Sequence, residues 1–414
     1  MSKPTALSGD GHTAKELTEI LMLREDILQL ISRSEETDPS RDSIGNFESQ
    51  YCDRRWESPL YYPIINEELS RRDQTWLQTI TWPHGKTFAA CLTHDVDTVQ
   101  INSRRELIRT IRLHMKYAKN TSEWIHHASS VTALRRHPLN IDIFTPWIEL
   151  EKRFGFHSTF FFFGTKITQR YVSDMTYKWN DTVSYKGEKC VLKEVVRDIH
   201  SQGWYVGLHG SILSARNESL LSEQKEDLEE ILGGQVYSIR QHNLQYDAQI
   251  TPFLHEKVGF HVDSTLGFNR DVGFRAGIAY PFRIYDPNEN RYLGIFQIPL
   301  VLQDGALMRQ DNLDLNELEA IRLGKKLIDR VRRTKGVITL LWHPNAIIES
   351  SWSNVYEKLL EYIHEQNGWG ASAKEIRDWW LGQGLSAKME KLLENIPLGK
   401  SSASSGNQTP YGRL

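Results

Sequence analysis

Four short segments, far apart in the chain, place residues capable of acid–base or metal chemistry directly after apolar runs. Leu92-Thr93 leads into His94-Asp95-Val96-Asp97, Gly207-Leu208 into His209, Ile239 into Arg240-Gln241-His242, and Leu341-Trp342 into His343. Asp95 and Asp97 are two positions apart, so on an extended backbone both carboxylates face the same way. Two converging carboxylates are unfavourable unless a cation or a proton lies between them. Arg240 and His242 share a face by the same spacing. Two imidazoles and a carboxylate, with open positions left for water, make a hydrolytic metal site. Each residue also has a plainer role open to it: a strand-end carboxylate can cap a turn, and a lone histidine can be a hydrogen-bonded core residue. His94 points away from Asp95 and is expected to pack or to orient a neighbour. His126, His127 and His137 lie in polar stretches that read as surface.

These residues need a frame that brings four chain segments to one place. From Lys86 onward, apolar runs of strand length alternate with amphipathic helical stretches. The expected strands are 87–93, 158–163, 205–208, 236–239, 261–263, 296–300 and 337–342. The helices between them carry stop signals at Gly203, Gly233-Gly234 and Gly336, where glycine takes up a left-handed conformation without a Cβ clash. Ser372 and Glu375 have the spacing of a capping box. Nearly all-apolar strands alternating with helices imply a parallel sheet covered on both faces. About seven such units predict an α/β fold, a distorted (β/α) barrel with a mainly helical N-terminal extension. In that architecture functional side chains stand at the C-terminal ends of the strands, where the acidic, basic and imidazole groups fall.

Residues 1–82 read as a lead segment, partly disordered, with helical periodicity from Leu17 to Ile31 and a second helical stretch from Asn66 to Thr79. Residues 83–385 form the expected barrel, and 386–414 a largely disordered tail rich in Ser and Gly towards its end. The chain has 414 residues and a net charge of -3, without the basic excess expected of a nucleic-acid binder. Cys52, Cys91 and Cys190 are widely spaced and odd in number, and suggest neither a disulfide framework nor a metal knuckle. No secretory signal is evident at the start and no apolar run is long enough to span a membrane, so the expected location is cytoplasmic.

These segments resemble the polysaccharide deacetylase family. Thr93-His94-Asp95-Val96-Asp97 stands where the family has T-F-D-D-G, and the resemblance implies that Asp95 is the general base. The family's second, metal-binding aspartate falls on Val96, which leaves Asp97 as the nearest substitute. His209-Gly210-Ser211-Ile212-Leu213 keeps the first histidine of H-S-x-x-H and has Leu213 in place of the second, for which His242 is the candidate replacement. Arg240 resembles the family's base-orienting arginine, and Leu341-Trp342-His343 the motif ending in its general acid. Phe156 to Phe161 is similar to the second strand. Val262 to Phe268 with Gly273 to Gly277 resembles a divergent branch with HDVD in its first motif. The resemblance covers about residues 85–385.

What the resemblance implies is a metal-dependent hydrolase that removes an acyl group from an N-acylated sugar or related amide. A divalent ion, with zinc expected, would be held by Asp97, His209 and His242, and would lower the pKa of a water toward about 7. Asp95 would accept the proton, Arg240 would keep Asp95 ionised, and His343 would protonate the leaving amine. Arg275 and Trp342 are the expected substrate contacts, although Arg275 has the alternative of pairing Asp263 or Asp271. Two other functions fit the departures at Val96 and Leu213: a cyclic-amide hydrolase of the same superfamily with little metal dependence, and a non-catalytic carbohydrate-binding barrel.

Overall fold

The computed structural model describes residues 24–397, apart from 38–39, 43–44, 53–60, 101–140, 167–170, 172–173, 176 and 287. The expectations for residues 1–23 and for the end of the tail, and those for His126, His127 and His137, lie outside the described residues.

Among the described residues, twelve strands occur in chain order: β1 (Phe88–Asp95), β2 (Thr159–Phe163), β3 (Thr182–Tyr185), β4 (Glu188–Val191), β5 (Tyr205–Gly210), β6 (Ser238–Gln241), β7 (Val262–Asp263), β8 (Phe282–Asp286), β9 (Arg291–Gln297), β10 (Leu302–Gln303), β11 (Val337–Leu341) and β12 (Gly368–Ala371). The main sheet runs β10-β11-β1-β2-β5-β6-β7-β9-β8, with β12 added beside β1 and β3-β4 forming a separate hairpin. All pairings in the main sheet are parallel except β8 with β9. Every residue of β1, β2, β6 and β11 is buried, as strands covered on both faces require, although β6 is the largely polar Ser-Ile-Arg-Gln.

The sheet curls because one stretch of chain serves both of its ends. β9 pairs with β7, and only four residues later β10 pairs with β11. Between them the Ile298 and Leu300 N–H groups still donate to Asp263 and Leu266, while Val301 N–H donates to Thr339. Pro299 has no N–H to give, and the chain changes partners around it. Counting β9 and β10 as one interrupted strand gives the expected seven: β1, β2, β5, β6, β7, β9–β10 and β11. The hairpin β3-β4, the antiparallel β8 and the short β12 were not legible in the sequence.

Helices cover the outside. The helix Glu218–Leu232 ends at left-handed Gly233, and Ala373–Gly382 begins with the expected Ser372–Glu375 capping box. At Thr145–Arg153 the capping acceptor is Asp142, whose Oδ1 takes the N–H groups of Phe144 and Thr145.

The described part of the lead segment shares the barrel's core. Ile27, Leu30, Ile65, Leu69 and Trp76 belong to the same hydrophobic cluster as the barrel strands. Residues 64–82 pack at the end of the sheet opposite the C-terminal strand ends, where Trp82 donates to the carbonyl of Lys335 just before β11 and stacks on Trp380. The start of the stretch expected to be a largely disordered tail is ordered. Leu385–Glu394 is a helix that buries Leu385, Met389 and Leu393, apolar positions four apart on one face. Among the described residues, no helix is long and apolar enough to cross a membrane.

Candidate active site

The period of two along β1 sorts its side chains. Thr93 and Asp95 face into the barrel, where the Arg240 guanidinium donates to Thr93 Oγ1 at 2.7 Å and to Asp95 Oδ1 at 3.2 Å. His94 faces outward and is fully buried between Trp342, whose carbonyl accepts from Nδ1 at 2.7 Å, and Glu151 at 2.8 Å from Nε2. Val96 is buried in the hydrophobic core. Asp97 follows the strand, with its N–H on the Asp95 carbonyl, which turns its carboxylate back over the barrel mouth.

On β6, Ser238 and Arg240 face inward, while Gln241 faces the helices and meets Ser214 and His255. Arg240 has no exposed surface, and each of its three side-chain nitrogens donates a hydrogen bond. Besides Thr93 and Asp95 it donates to the Ser264 carbonyl at 2.9 Å and hydroxyl at 2.7 Å, and it lies 4.9 Å from the Phe161 ring centre. A guanidinium fixed at so many points presents one edge to Asp95 and has little freedom to move.

Asp97, His209 and His242 each offer a ligand atom, and these atoms lie within 4.8 Å of one another. Asp97 Oδ1 is 3.3 Å from His209 Nε2 and 4.0 Å from His242 Nε2. His209 Nδ1 is 2.9 Å from the Arg240 carbonyl, which can only accept, so Nδ1 carries the proton and Nε2 presents its lone pair to the site. His242 Nδ1 faces Asp174 Oδ1 at 3.3 Å, with the same consequence. Such outer partners orient imidazole ligands. His343 Nε2 is 3.6 Å from the other Asp97 oxygen, and its Nδ1 is held by Asp304 at 2.7 Å.

The donor set fits a divalent cation. Asp97 Oδ1 is buried and, among the described residues, has no hydrogen-bond partner, an arrangement worth about 1–3 kcal/mol against the fold if nothing else binds there. Burial opposes ionisation of Asp97, but His209, His343 and His242 outweigh it and hold the carboxylate far below its usual range. Burial likewise disfavours a charged His209, and Asp95 and Asp97 more than compensate, so its pKa rises. One nitrogen from each of two histidines and one carboxylate oxygen is a familiar donor set for zinc.

The site opens into a cavity of about 300 Å³. Asp95, Asp97, His209, His242 and His343 line its floor, and the wall includes Asn243, Asn269, Asn312, Arg270 and Arg309. The structure therefore brings together Asp95, Asp97, His209, Arg240, His242 and His343. It does not bring Arg275 or Trp342 to the cavity. Arg275 is buried against the lead segment, with a two-point pair to Glu36 at 2.9 and 2.6 Å and a bond to the Gly267 carbonyl, and pairs with neither Asp263 nor Asp271. Trp342 precedes His343 by one residue and so faces the helices, where its indole donates to the Trp352 carbonyl and packs on Tyr356. Leu213, at the place of the family's second histidine, sits on a short turn and is partly exposed.

Sequence reasoning missed Asp304, Asp174, Ser264, Arg270 and Arg309. Asp304 had a signal: it directly follows β10, and the strand-end test would have found it had the strand not been stopped at Leu300. Asp174 had none, since it lies in an irregular stretch between β2 and β3.

No protein-family model and no curated protein matches this sequence. Solved structures do match in shape. A protein from Mycobacterium smegmatis provisionally named a polysaccharide deacetylase aligns with a TM-score of 0.50 and 18% identity over 79% of this chain and 98% of its own. The Puue allantoinase aligns at 0.47 and 13% identity over 73% and 92%, and a protein from Pseudomonas aeruginosa PAO1 with a similar provisional deacetylase name at 0.47 and 14% over 72% and 92%. The fold is polysaccharide deacetylase-like. Identity this low speaks for the fold alone.

Proposed function

We propose that this chain is a metal-dependent amide hydrolase that removes an acyl group from an N-acylated sugar. One observation carries the reading: the clustered donors of Asp97, His209 and His242 lie beside a carboxylate fixed by arginine and an imidazole fixed by a second carboxylate. Asp97, His209 and His242 would hold the cation. The chemistry supplied by a divalent cation in that position is Lewis acidity toward the acyl oxygen and a more acidic water.

The protein's own groups do the rest. Asp95 Oδ1 is on Arg240, while Oδ2 is 4.0 Å from His209 Nε2 at the edge of the donor cluster. That oxygen is placed to take a proton from an attacking water. His343 stands on the other side of Asp97, with Nε2 turned into the cavity, and supplies a proton to the departing nitrogen. The amide side chains of Asn243, Asn269 and Asn312 suit sugar hydroxyls, and the guanidinium groups of Arg270 and Arg309 suit an acidic substituent such as a phosphate or a carboxylate.

The test is acetate release from N-acetylated sugars by the zinc-loaded protein, with and without a chelator. Release that stops on chelation and returns with zinc supports the reading. Chelator-insensitive hydrolysis of cyclic amides would replace it with the allantoinase-like alternative.

A further inference from the structure

We infer that the lead segment is part of the active-site architecture, and that Asn46 is a positioning residue for the metal ligand His242. This rests on the metal-site reading above. Of the two imidazole ligands, His242 is the less firmly held: its ring contact to Asp174 is 3.3 Å, against 2.9 Å for the contact that fixes His209. It is also not on a strand but on the turn that follows β6. Its aim therefore depends on the backbone of that turn.

The turn is strained. Asn243 and Leu244 both have positive φ, 53° and 51°, in immediate succession. Non-glycine residues in that region cost on the order of 1–3 kcal/mol each and persist only where the surroundings enforce them. The enforcing group comes from the lead segment. Asn46 is 2% exposed, and its amide donates to the Asn243 carbonyl at 2.8 Å. Its carbonyl oxygen accepts from Gln245 Nε2 at 2.9 Å. One side-chain amide thus grips the chain on both sides of Leu244. Asn46 is itself fixed, with its N–H on Asp42 Oδ1 and its backbone carbonyl taking the Asp42 N–H, both at 2.9 Å.

Docking of the segment does not need this contact. Glu36 pairs with Arg275, Ser49 bonds Asp271, and the Glu48 carboxylate accepts the Arg270 N–H. What Asn46 adds is directed at one turn, and that turn carries His242 and lines the cavity through Asn243 and Leu244.

The experiment is cobalt(II) titration of the metal-free full-length chain, followed by visible absorption, with the melting temperature measured alongside. Asn46→Ala is expected to weaken cobalt binding by about tenfold and to change the band shape, the size of effect seen when outer partners of a ligand are removed. Arg283→Ala, which breaks a remote pair with Glu390, should lower the melting temperature and leave the cobalt spectrum unchanged. Wild-type affinity and spectrum in folded Asn46→Ala protein would overturn the inference. Should that variant fail to fold, Gln245→Ala removes the other half of the grip, and an unchanged cobalt signature there overturns it equally. A wild-type chain that binds no cobalt would instead sink the metal-site reading, and this inference with it.

Discussion

Asp304 holds His343 at two points: Oδ1 accepts from the ring Nδ1 at 2.7 Å and Oδ2 from the main-chain N–H at 2.8 Å. The first bond fixes which ring nitrogen faces the cavity, and the second fixes the backbone that carries the ring. Burial alone would depress the His343 pKa, but Asp304, aided by Asp97 and Asp95, overcomes it and raises the pKa to about 9 in the metal-free protein.

The sign of the pH effect follows. A raised imidazole pKa keeps the ring protonated, and so able to donate, at every pH below about 9, with loss as the pH rises through it. Asp304→Asn removes the main charge that sustains the proton and leaves burial to work against it. NMR titration of the metal-free variant should show the His343 pKa shifted down, and the alkaline limb of kcat should move to lower pH. An unshifted titration would show that Asp304 does not set it.

The metal set has a direct test with a built-in contrast. His209→Ala and Asp97→Asn should each weaken zinc binding by more than about a hundredfold, measured against a chromophoric chelator. Val96→Asp, which restores the aspartate of the resembled motif, should not compensate. Position 96 is in the core, so the new carboxylate would be buried without a partner and destabilise the fold by several kcal/mol. Zinc binding rescued by Val96→Asp in the Asp97→Asn background would contradict the geometry.

Arg309 is exposed on the cavity wall, and among the described residues Arg270 has a single ion pair, a 3.7 Å contact to Asp42. Arg309→Ala should raise KM about tenfold for an N-acetylated sugar phosphate and leave KM for the neutral sugar within about twofold, a loss of roughly 1.4 kcal/mol of binding to the anion. Equal effects on both substrates would argue against an acidic substituent.

Stability should respond to Glu48. Burial raises its pKa from 4.5 to about 7, against the opposing bond from the Arg270 N–H. A carboxyl with a raised folded-state pKa contributes fully below its unfolded value, and that contribution is lost as the pH climbs from about 4.5 through 7. Glu48→Gln keeps the acceptor and removes the charge. Thermal unfolding should find the variant more stable than wild type at pH 8, by on the order of 2 kcal/mol, and similar to it near pH 5. A constant difference across that range would rule out Glu48 as the titrating group.

The sequence by itself determined the frame and the floor of the site. Continuous apolar strands have to be covered on both faces, and an alternation of two along β1 leaves Asp95 inside and His94 outside whatever the rest of the chain does. A residue type at a strand end is therefore legible one segment at a time, which is why Asp95, Asp97, His209, Arg240, His242 and His343 could be placed at one end of the barrel, where the structure brings them together. The same alternation, applied to Trp342 beside His343, would have excluded Trp342.

Partnership between segments was decided only by the tertiary structure. Asp304 meets His343 because the chain changes partners around Pro299 and continues as β10. Arg275 meets Glu36, and Asn46 meets Asn243, because the lead segment folds onto loops some 200 residues further along. Hydrogen bonds and ion pairs act over a few ångströms, and side-chain spacing in the sequence says nothing about which distant groups come that close.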